Sequence, residues 1–266
     1  MKAIRLANKI ITTQVRDHIQ YPGRLAIDTM TMVARCGVLL GLYWYVYKLN
    51  GGIIKGIPFS YAAWSIFFYF TFSVFRLRDI ARLIMQDVQS GNVEVLLSKP
   101  ISYLSYRIWW QIGAGLYSFA FITILSTIIL ALLIGIPDTM TVNIFLPTLV
   151  ITLLFCTVLN ILIYSVVGLL AFWIEDVVPV FWIVNKAVMI LGGSYLPVAL
   201  FPEFMQKLAT YSPFGASFFI THTVYATWQT DWPRLLSIQA VWIIVLSIAV
   251  YFMFNKAKVN VSVNGG

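Results

Sequence analysis

The chain has 266 residues, of which 60% are hydrophobic and 11% are charged, whereas an average soluble domain carries roughly 25% charged residues. A soluble fold cannot cover so much apolar surface, so the composition excludes a water-soluble domain and predicts a helical bundle in a lipid bilayer. The formal net charge of +8 does not indicate a nucleic-acid partner, because the cations lie between apolar runs and not on one polar face.

The first predicted element, within residues 1–24, is an amphipathic helix. Its apolar residues recur at helical spacing, while its cations fall mainly on the other side. We expect this helix to lie along the membrane surface and to end at Pro22 and Gly23. The apolar positions are Ile4, Ala7, Ile11, Val15 and Ile19.

Six apolar runs follow, and each predicts a crossing of the membrane. They cover residues 25–47, 60–75, 109–133, 145–173, 179–191 and 235–254. The fifth run is short and is followed by Gly192, Gly193 and Pro197, which interrupt regular helix. We therefore expect broken helices over residues 192–214, with a helix starting at Pro202. The whole chain, residues 1–266, is predicted to be a single all-α membrane domain.

The distribution of Lys and Arg predicts the orientation of the chain. Of the eighteen, five precede the first span, five lie between Arg76 and Arg107, and two follow the last span, whereas the opposite loops hold four. Cations are retained on the cytoplasmic side. Both termini and the polar loop over residues 79–100 are therefore predicted to be cytoplasmic, and the broken helices extracytoplasmic.

No catalytic or metal-binding residue is predicted. A GxxxxGK[ST] loop, which would hold nucleotide phosphates on backbone N–H groups, is absent from the sequence. The two histidines, His18 and His222, fall on different predicted sides of the membrane, so a histidine metal cluster is not expected. A membrane-embedded enzyme would need a cluster of catalytic residues at one depth, and none is visible.

Three ionisable residues interrupt the apolar runs: Asp28 and Arg35 in the first, and Lys186 in the fifth. A charge at the bilayer centre costs about 2.5–3.5 kcal/mol on insertion scales, so such residues usually face protein, a partner charge or water. Asp28 and Arg35 are two helical turns apart and share a face, so the two could pair. Lys186 either lines a translocation path, pairs with Asp28, or has a structural role.

Gly37 and Gly41 form a GxxxG pattern on the first span, which lets two helices approach closely. Packing within the chain and a subunit interface are both compatible with this pattern.

The polar loop, residues 79–100, predicts an amphipathic helix that ends near Gly91. Its stripe of Ile80, Leu83, Ile84 and Val88 is flanked by charged residues. The loop is either a solvated connector or a docking element that presents its stripe and charges to a soluble partner.

The sequence from Gly91 to Pro100, GNVEVLLSKP, resembles the Gly-acidic-Leu-Leu-x-Lys/Arg-Pro stretch of bacterial ABC-2-type exporter permeases. The basic N-terminal helix is similar to the elbow helix of that family, and residues 193–214 are similar to the outward-facing broken helices after its fifth span. The terminal Asn264-Gly265-Gly266 resembles the Gly-Gly ending of one branch, although the tyrosine and glutamate often found before it are missing here.

The resemblance implies the permease subunit of an ABC exporter in the bacterial cytoplasmic membrane. It implies two cytoplasmic ATPase subunits, which bind ATP and Mg²⁺, and a second permease, identical or homologous. The helix after Arg78 would be the coupling helix. The residues that would couple it to the ATPases are Arg78, Asp79, Arg82, Asp87, Gly91, Glu94, Lys99 and Pro100.

A secondary transporter or channel that works without an ATPase is the main alternative. It too would have six helices with few buried charges, but it would not require a docking loop. It would usually carry a clearer ion relay than Asp28, Arg35 and Lys186 provide.

Overall fold

The computed structural model describes the backbone of residues 2–98, 101–141 and 143–264, and these residues form an all-helical bundle with one small hairpin. The helices are α1 Lys2–Gln20, α2 Pro22–Leu49, α3 Phe59–Ser73, α4 Asp79–Gln89, α5 Asn92–Leu97, α6 Tyr103–Ile134, α7 Phe145–Leu169, α8 Val178–Leu191, α9 Glu203–Tyr211, α10 Pro213–Ala216 and α11 Trp228–Asn264. The hairpin pairs β1, Ile53–Ile54, with β2, Ile57–Pro58. The all-α class predicted from composition is confirmed.

Four helices of the described chain are long and apolar enough to cross a bilayer. The second and fifth predicted spans form the shorter helices α3 and α8, of 15 and 14 residues. At about 1.5 Å per residue, each falls short of the roughly 30 Å of hydrocarbon. Four of the six predicted spans thus form helices that are long enough to cross the bilayer without further segments. They are Leu25–Leu49, Tyr103–Ile134, Phe145–Phe172 and Trp228–Lys258.

Helix α7 lies at the centre of the bundle and packs against α4 and α11. Its apolar residues contribute to the main core, where Cys156 and Leu159 are fully buried. Cys36 and Cys156 are both free and buried, so each fills space in the core as a small apolar residue.

Irregular backbone between α8 and α11 is held by amide side chains of the long helices. The Nδ2 of Asn160 on α7 donates to the carbonyl of Ser217 at 2.9 Å, and the Nε2 of Gln239 on α11 donates to the carbonyl of Ala216 at 2.8 Å. A carbonyl without a partner is costly in lipid. The two buried amides therefore allow α10 to end inside the bundle.

The β1–β2 hairpin is tied to the same region by its turn. Lys55 and Gly56 occupy the turn with positive φ angles of 50° and 76°, as a two-residue hairpin requires. The Nζ of Lys55 donates to the carbonyls of Leu200 and Phe201, at 3.1 and 3.3 Å. These bonds fix the loop after α2 against the turn that precedes α9.

Helix α1 occupies the segment predicted to be amphipathic and packs along α6. The close approach depends on a glycine: a Cβ added at Gly113 of α6 would lie 2.8 Å from the Cβ of Gln14. Gln14 is buried by this contact. The N-terminal helix is therefore packed against the bundle on one side and exposed on the other.

Candidate functional site

The apolar stripe of α4 faces the bundle and is not free for a partner. Ile80 and Ile84 are fully buried, and a Cβ added at Gly168 of α7 would lie 2.9 Å from the Cβ of Ile84 and 3.0 Å from the Cα of Ala81. The interpretation in which this stripe is presented to a soluble partner is therefore wrong. An amphipathic pattern shows that a face is buried, and here the burying surface belongs to the same chain.

A buried cluster of Asp87, Tyr103 and Arg107, the Asp87 cluster, fastens α4 to α6. The phenol of Tyr103 donates to Oδ2 of Asp87 at 2.7 Å, and Nε of Arg107 donates to the same oxygen at 2.6 Å. Nη2 of Arg107 donates to the other oxygen, Oδ1, so the ion pair is bidentate. Asp87 is 4% exposed. Although we expected Asp87 at the coupling surface, it holds α4 in place.

Tyr103 and Arg107 are not among the residues predicted for the site, although the sequence carries a signal for them. They are four residues apart, which places both on one face of a helix, and they begin the span that follows the polar loop. A phenol and a guanidinium at that spacing match the acceptor capacity of one carboxylate.

A second set of ion pairs lies at the turn between α3 and α4. The guanidinium of Arg76 lies 3.5 Å from Oδ1 of Asp28 on α2 and 3.0 Å from Oδ2 of Asp79 on α4. Arg82 lies 3.4 Å from the other oxygen of Asp79. Asp28 therefore pairs with Arg76, and of the alternatives considered for it the structure does not show pairing with Arg35 or with Lys186.

Arg76 has an unusual backbone conformation, with φ of 55° in the left-handed region. Its carbonyl accepts a hydrogen bond from Nε2 of Gln111 on α6 at 3.0 Å. The left-handed turn reverses the chain so that α4 packs against α7. The side chain of Arg76 can then pair with Asp28 on α2 and with Asp79 on α4. Sequence periodicity does not show a left-handed turn at a non-glycine residue.

The exposed part of the polar loop lies on the outer side of α4 and on α5. Gly91 takes a φ of 72°, which turns the chain between the two helices. Val93 is buried against the bundle, whereas Glu94 is exposed and Val95 is 63% exposed. We call the exposed set the α4–α5 surface: Gln86, Gln89, Gly91, Glu94 and Val95. Lys99 and Pro100, also predicted for coupling, lie outside the described residues.

A cavity of about 620 Å³ opens between α2, α3, α4 and α8. It brings together two residues predicted for a translocation path, Arg35 and Lys186, and two predicted for coupling, Arg78 and Arg82. We call it the cationic cavity. Its other lining residues are Ala34, Val38, Leu39, Tyr69, Phe70, Ser73, Trp182, Asn185, Met189, Ser194 and Tyr195.

Gly37 and Gly41 have no neighbours within the described chain. A Cβ added at either glycine would meet no heavy atom within 4 Å, and both residues are exposed. Intrachain packing therefore does not explain the GxxxG pattern, and this face of α2 is open.

Comparison with known families decides the class of protein to which this fold belongs. The family model described as ABC-2 family transporter protein matches residues 35–262. The chain belongs to the ABC-2 transporter family. The resemblance inferred from the polar loop is thereby confirmed. A comparison with curated proteins finds no match.

Membership of the ABC-2 family makes the chain a membrane permease of an ABC transporter, which works with separate ABC ATPase subunits. The matched region includes the α4–α5 surface, the Asp87 cluster and all the lining residues of the cationic cavity except Ala34. Helix α1 and Asp28 precede it.

Proposed function

We propose that this ABC-2 permease is the membrane subunit of a bacterial exporter and that its ATPase subunits dock on the α4–α5 surface. In this proposal six crossings place both termini and residues 79–98 in the cytoplasm. The short helices α3 and α8 complete their crossings through the irregular segments beside them. Residues 1–24 form the elbow helix, and α4 is the coupling helix.

The observation that carries the proposal is the way in which α4 is held. One side is fixed by the Asp87 cluster and by close packing on α7, while Gln86 and Gln89 on the other side, and Glu94 and Val95 of α5, remain exposed. A force applied to the exposed side would thus pass to α6 and α7 without being absorbed by a mobile loop. Movement driven by ATP in the partner subunits requires a connection of this kind.

A second permease, identical or homologous, completes the transport path in this proposal. The open face of α2, with Gly37 and Gly41, supports this arrangement because small residues allow close packing between helices in lipid. The cationic cavity is bordered by α2. A second permease on this face would therefore stand beside the cavity.

The docking proposal is tested with the double variant Glu94→Lys and Val95→Asp. Both residues are exposed, so the fold should be kept, while a reversed charge and a new carboxylate oppose the ATPase surface. We expect about tenfold less ATPase to co-purify with the permease, equivalent to about 1.4 kcal/mol. The amount of ATPase per permease is measured after affinity purification of the complex.

The matched control is Asp17→Lys, which reverses an exposed charge on α1 that is not part of the α4–α5 surface. Its complex should be recovered in full. Recovery of an intact complex from the double variant would refute docking at this surface. Transport by the permease in vesicles without any ATPase would instead support a secondary transporter.

A further inference from the structure

The cationic cavity carries positive charge without matching negative charge. Arg35, Arg78, Arg82 and Lys186 line it, and none of its lining residues is acidic. Of the four, Arg82 pairs with Asp79. Within the described residues, Arg35 and Lys186 have no carboxylate oxygen within 4 Å, and both side chains are exposed. Cations inside a membrane protein are costly unless a partner charge or water meets them, so this arrangement favours an anion.

Arg78 supplies a second, independent observation. Its Nε is buried and has no hydrogen-bond partner among the described residues. A buried donor without a partner costs about 1–3 kcal/mol, and more when it is charged. An oxygen of an anionic ligand at this end of the cavity would satisfy it.

A smaller cavity of about 220 Å³ adjoins the first and shares Arg35 and Arg78 with it. Asp28 is the one acidic residue among the described residues that line this smaller cavity. That carboxylate is already paired with Arg76. The neighbouring cavity therefore does not supply a free counter-ion.

The walls of the cationic cavity define the rest of the ligand. Val38, Leu39, Phe70 and Met189 give an apolar lining, and Trp182 stands beside Arg82, whose guanidinium lies 5.8 Å from its ring centre. A volume of about 620 Å³ is in the usual range of about 300–1,000 Å³ for small-molecule sites. A bare anion would leave these walls unused, and a cationic drug would be repelled by the four charges.

We propose that the cationic cavity binds an amphiphile with an anionic headgroup, and that the headgroup lies against Arg78, Arg35 and Lys186. If the proposed function is correct, this is the chemical class of the exported cargo. The apolar body of the amphiphile packs against α2, α3 and α8, and the face of α2 that borders the cavity remains open to lipid or to the second permease.

The experiment measures equilibrium binding of radiolabelled hexadecyl phosphate to the full-length permease in discs of zwitterionic lipid. We expect saturable binding that is about tenfold weaker in Lys186→Gln and in Arg35→Gln, because each loses a charge-assisted contact. Both side chains are exposed, so these variants should fold. Arg78→Gln should weaken binding at least as much. The control Lys48→Gln removes an exposed cation outside the cavity and should leave binding unchanged.

Two further probes test the chemistry. Hexadecylphosphocholine has the same chain without net negative charge, and inorganic phosphate has the charge without the chain, so neither should compete. Equal binding of hexadecylphosphocholine, equal competition by inorganic phosphate, or unchanged binding in all three cavity variants would overturn the proposal. Competition by phosphatidylglycerol would identify a membrane lipid as the natural source, and its failure to compete would identify a soluble amphiphile.

The test is separate from that of the docking proposal, because binding requires no ATPase. The Glu94→Lys and Val95→Asp variant should bind hexadecyl phosphate normally. Loss of ATPase from that variant with no amphiphile binding in the native chain would refute the cavity proposal alone.

Discussion

Helices α4 and α2 differ in how much of their surface the rest of the chain covers. Helix α4 buries Ile80 and Ile84 of its apolar stripe completely and has its one buried carboxylate inside a hydrogen-bonded cluster. Only 11% of the apolar stretch of α2 is buried within the chain, the lowest share of the four long apolar helices described, compared with 17% for α6 and α11 and 50% for α7. The difference teaches that the bundle is organised around α7 and leaves α2 to be covered by lipid, a ligand or a second protein.

The same contrast appears in the glycines of the two regions. Gly168 permits contact between α7 and α4, where an added Cβ would be too close to Ile84, whereas Gly41 faces open space. Glycine therefore allows close helix packing at position 168, whereas at position 41 it leaves a surface that the described chain does not cover.

The largest effect is expected for Asp87→Ala, which removes the carboxylate that fastens α4 to α6. The side chain of Arg107, only 14% exposed, would lose its carboxylate, and breaking a buried pair in this way costs about 3–5 kcal/mol. We expect a large fall in the thermal unfolding temperature of the purified permease and poor accumulation in membranes. The measurement is a thermal melt followed by tryptophan fluorescence in detergent.

The control for that change is Asp17→Ala, which removes an exposed carboxylate from α1 and should not alter the melt. A melt of Asp87→Ala that matched this control would show that the Asp87 cluster does not hold α4 to α6.

An intermediate effect is expected for Gly168→Ala, which should destabilise the chain by about 1–3 kcal/mol through overpacking against α4. Gly41→Ala should leave the free energy of unfolding unchanged or raise it by up to about 1 kcal/mol, because alanine is the better helix former. Denaturant titrations of the two variants, analysed side by side, give the comparison. Equal destabilisation by both substitutions would contradict the difference between the two glycines.

The smallest effect is expected for Glu203→Gln on α9. Glu203 and Lys207 form an ion pair of 2.7 Å, but their side chains are 81% and 68% exposed. Exposed pairs contribute about 0.2–1 kcal/mol, so the melt should shift little. A loss as large as that of Asp87→Ala would mean that α9 is covered in the native assembly, and a cross-linking experiment would then show by what.

The positions of the helices could be predicted from sequence, because each helix follows an apolar run and ends near a residue that interrupts the run. The prediction of residues 145–173 as one span agrees with α7 and the 3-10 turn Leu170–Phe172 that follows. The third and last spans extend beyond their predicted ends, to Tyr103–Ile134 and Trp228–Asn264. Polar and aromatic residues at their ends continue the helix although they reduce the hydropathy.

The partners of the charged residues were much less accessible. Asp28 and Arg35 share a helix face, yet Asp28 pairs with Arg76, which is distant in sequence and reaches it through a left-handed turn. Asp87 belongs to the same loop as Glu94, but one is buried and the other exposed. Helical spacing identifies neighbours on one helix, whereas pairing between helices depends on how the chain turns.

The cationic cavity also could not be predicted from sequence, because its four cations come from three separate segments of the chain. Arg35 and Lys186 were recognised individually as charges that need an explanation. Arg78 and Arg82 were predicted as coupling residues from the resemblance to the ABC-2 family. Only the fold shows that α4 turns back and directs these two side chains toward the other two.

Arg76 has a further consequence as a counter-ion shared between Asp28 and Asp79. If Asp79 moved away, the Arg76 guanidinium would interact with Asp28 alone. The electrostatic attraction between Arg76 and α2 would then be stronger. Helix α2, of which little is buried within the chain, is therefore linked electrostatically through Arg76 to α4, the proposed coupling helix.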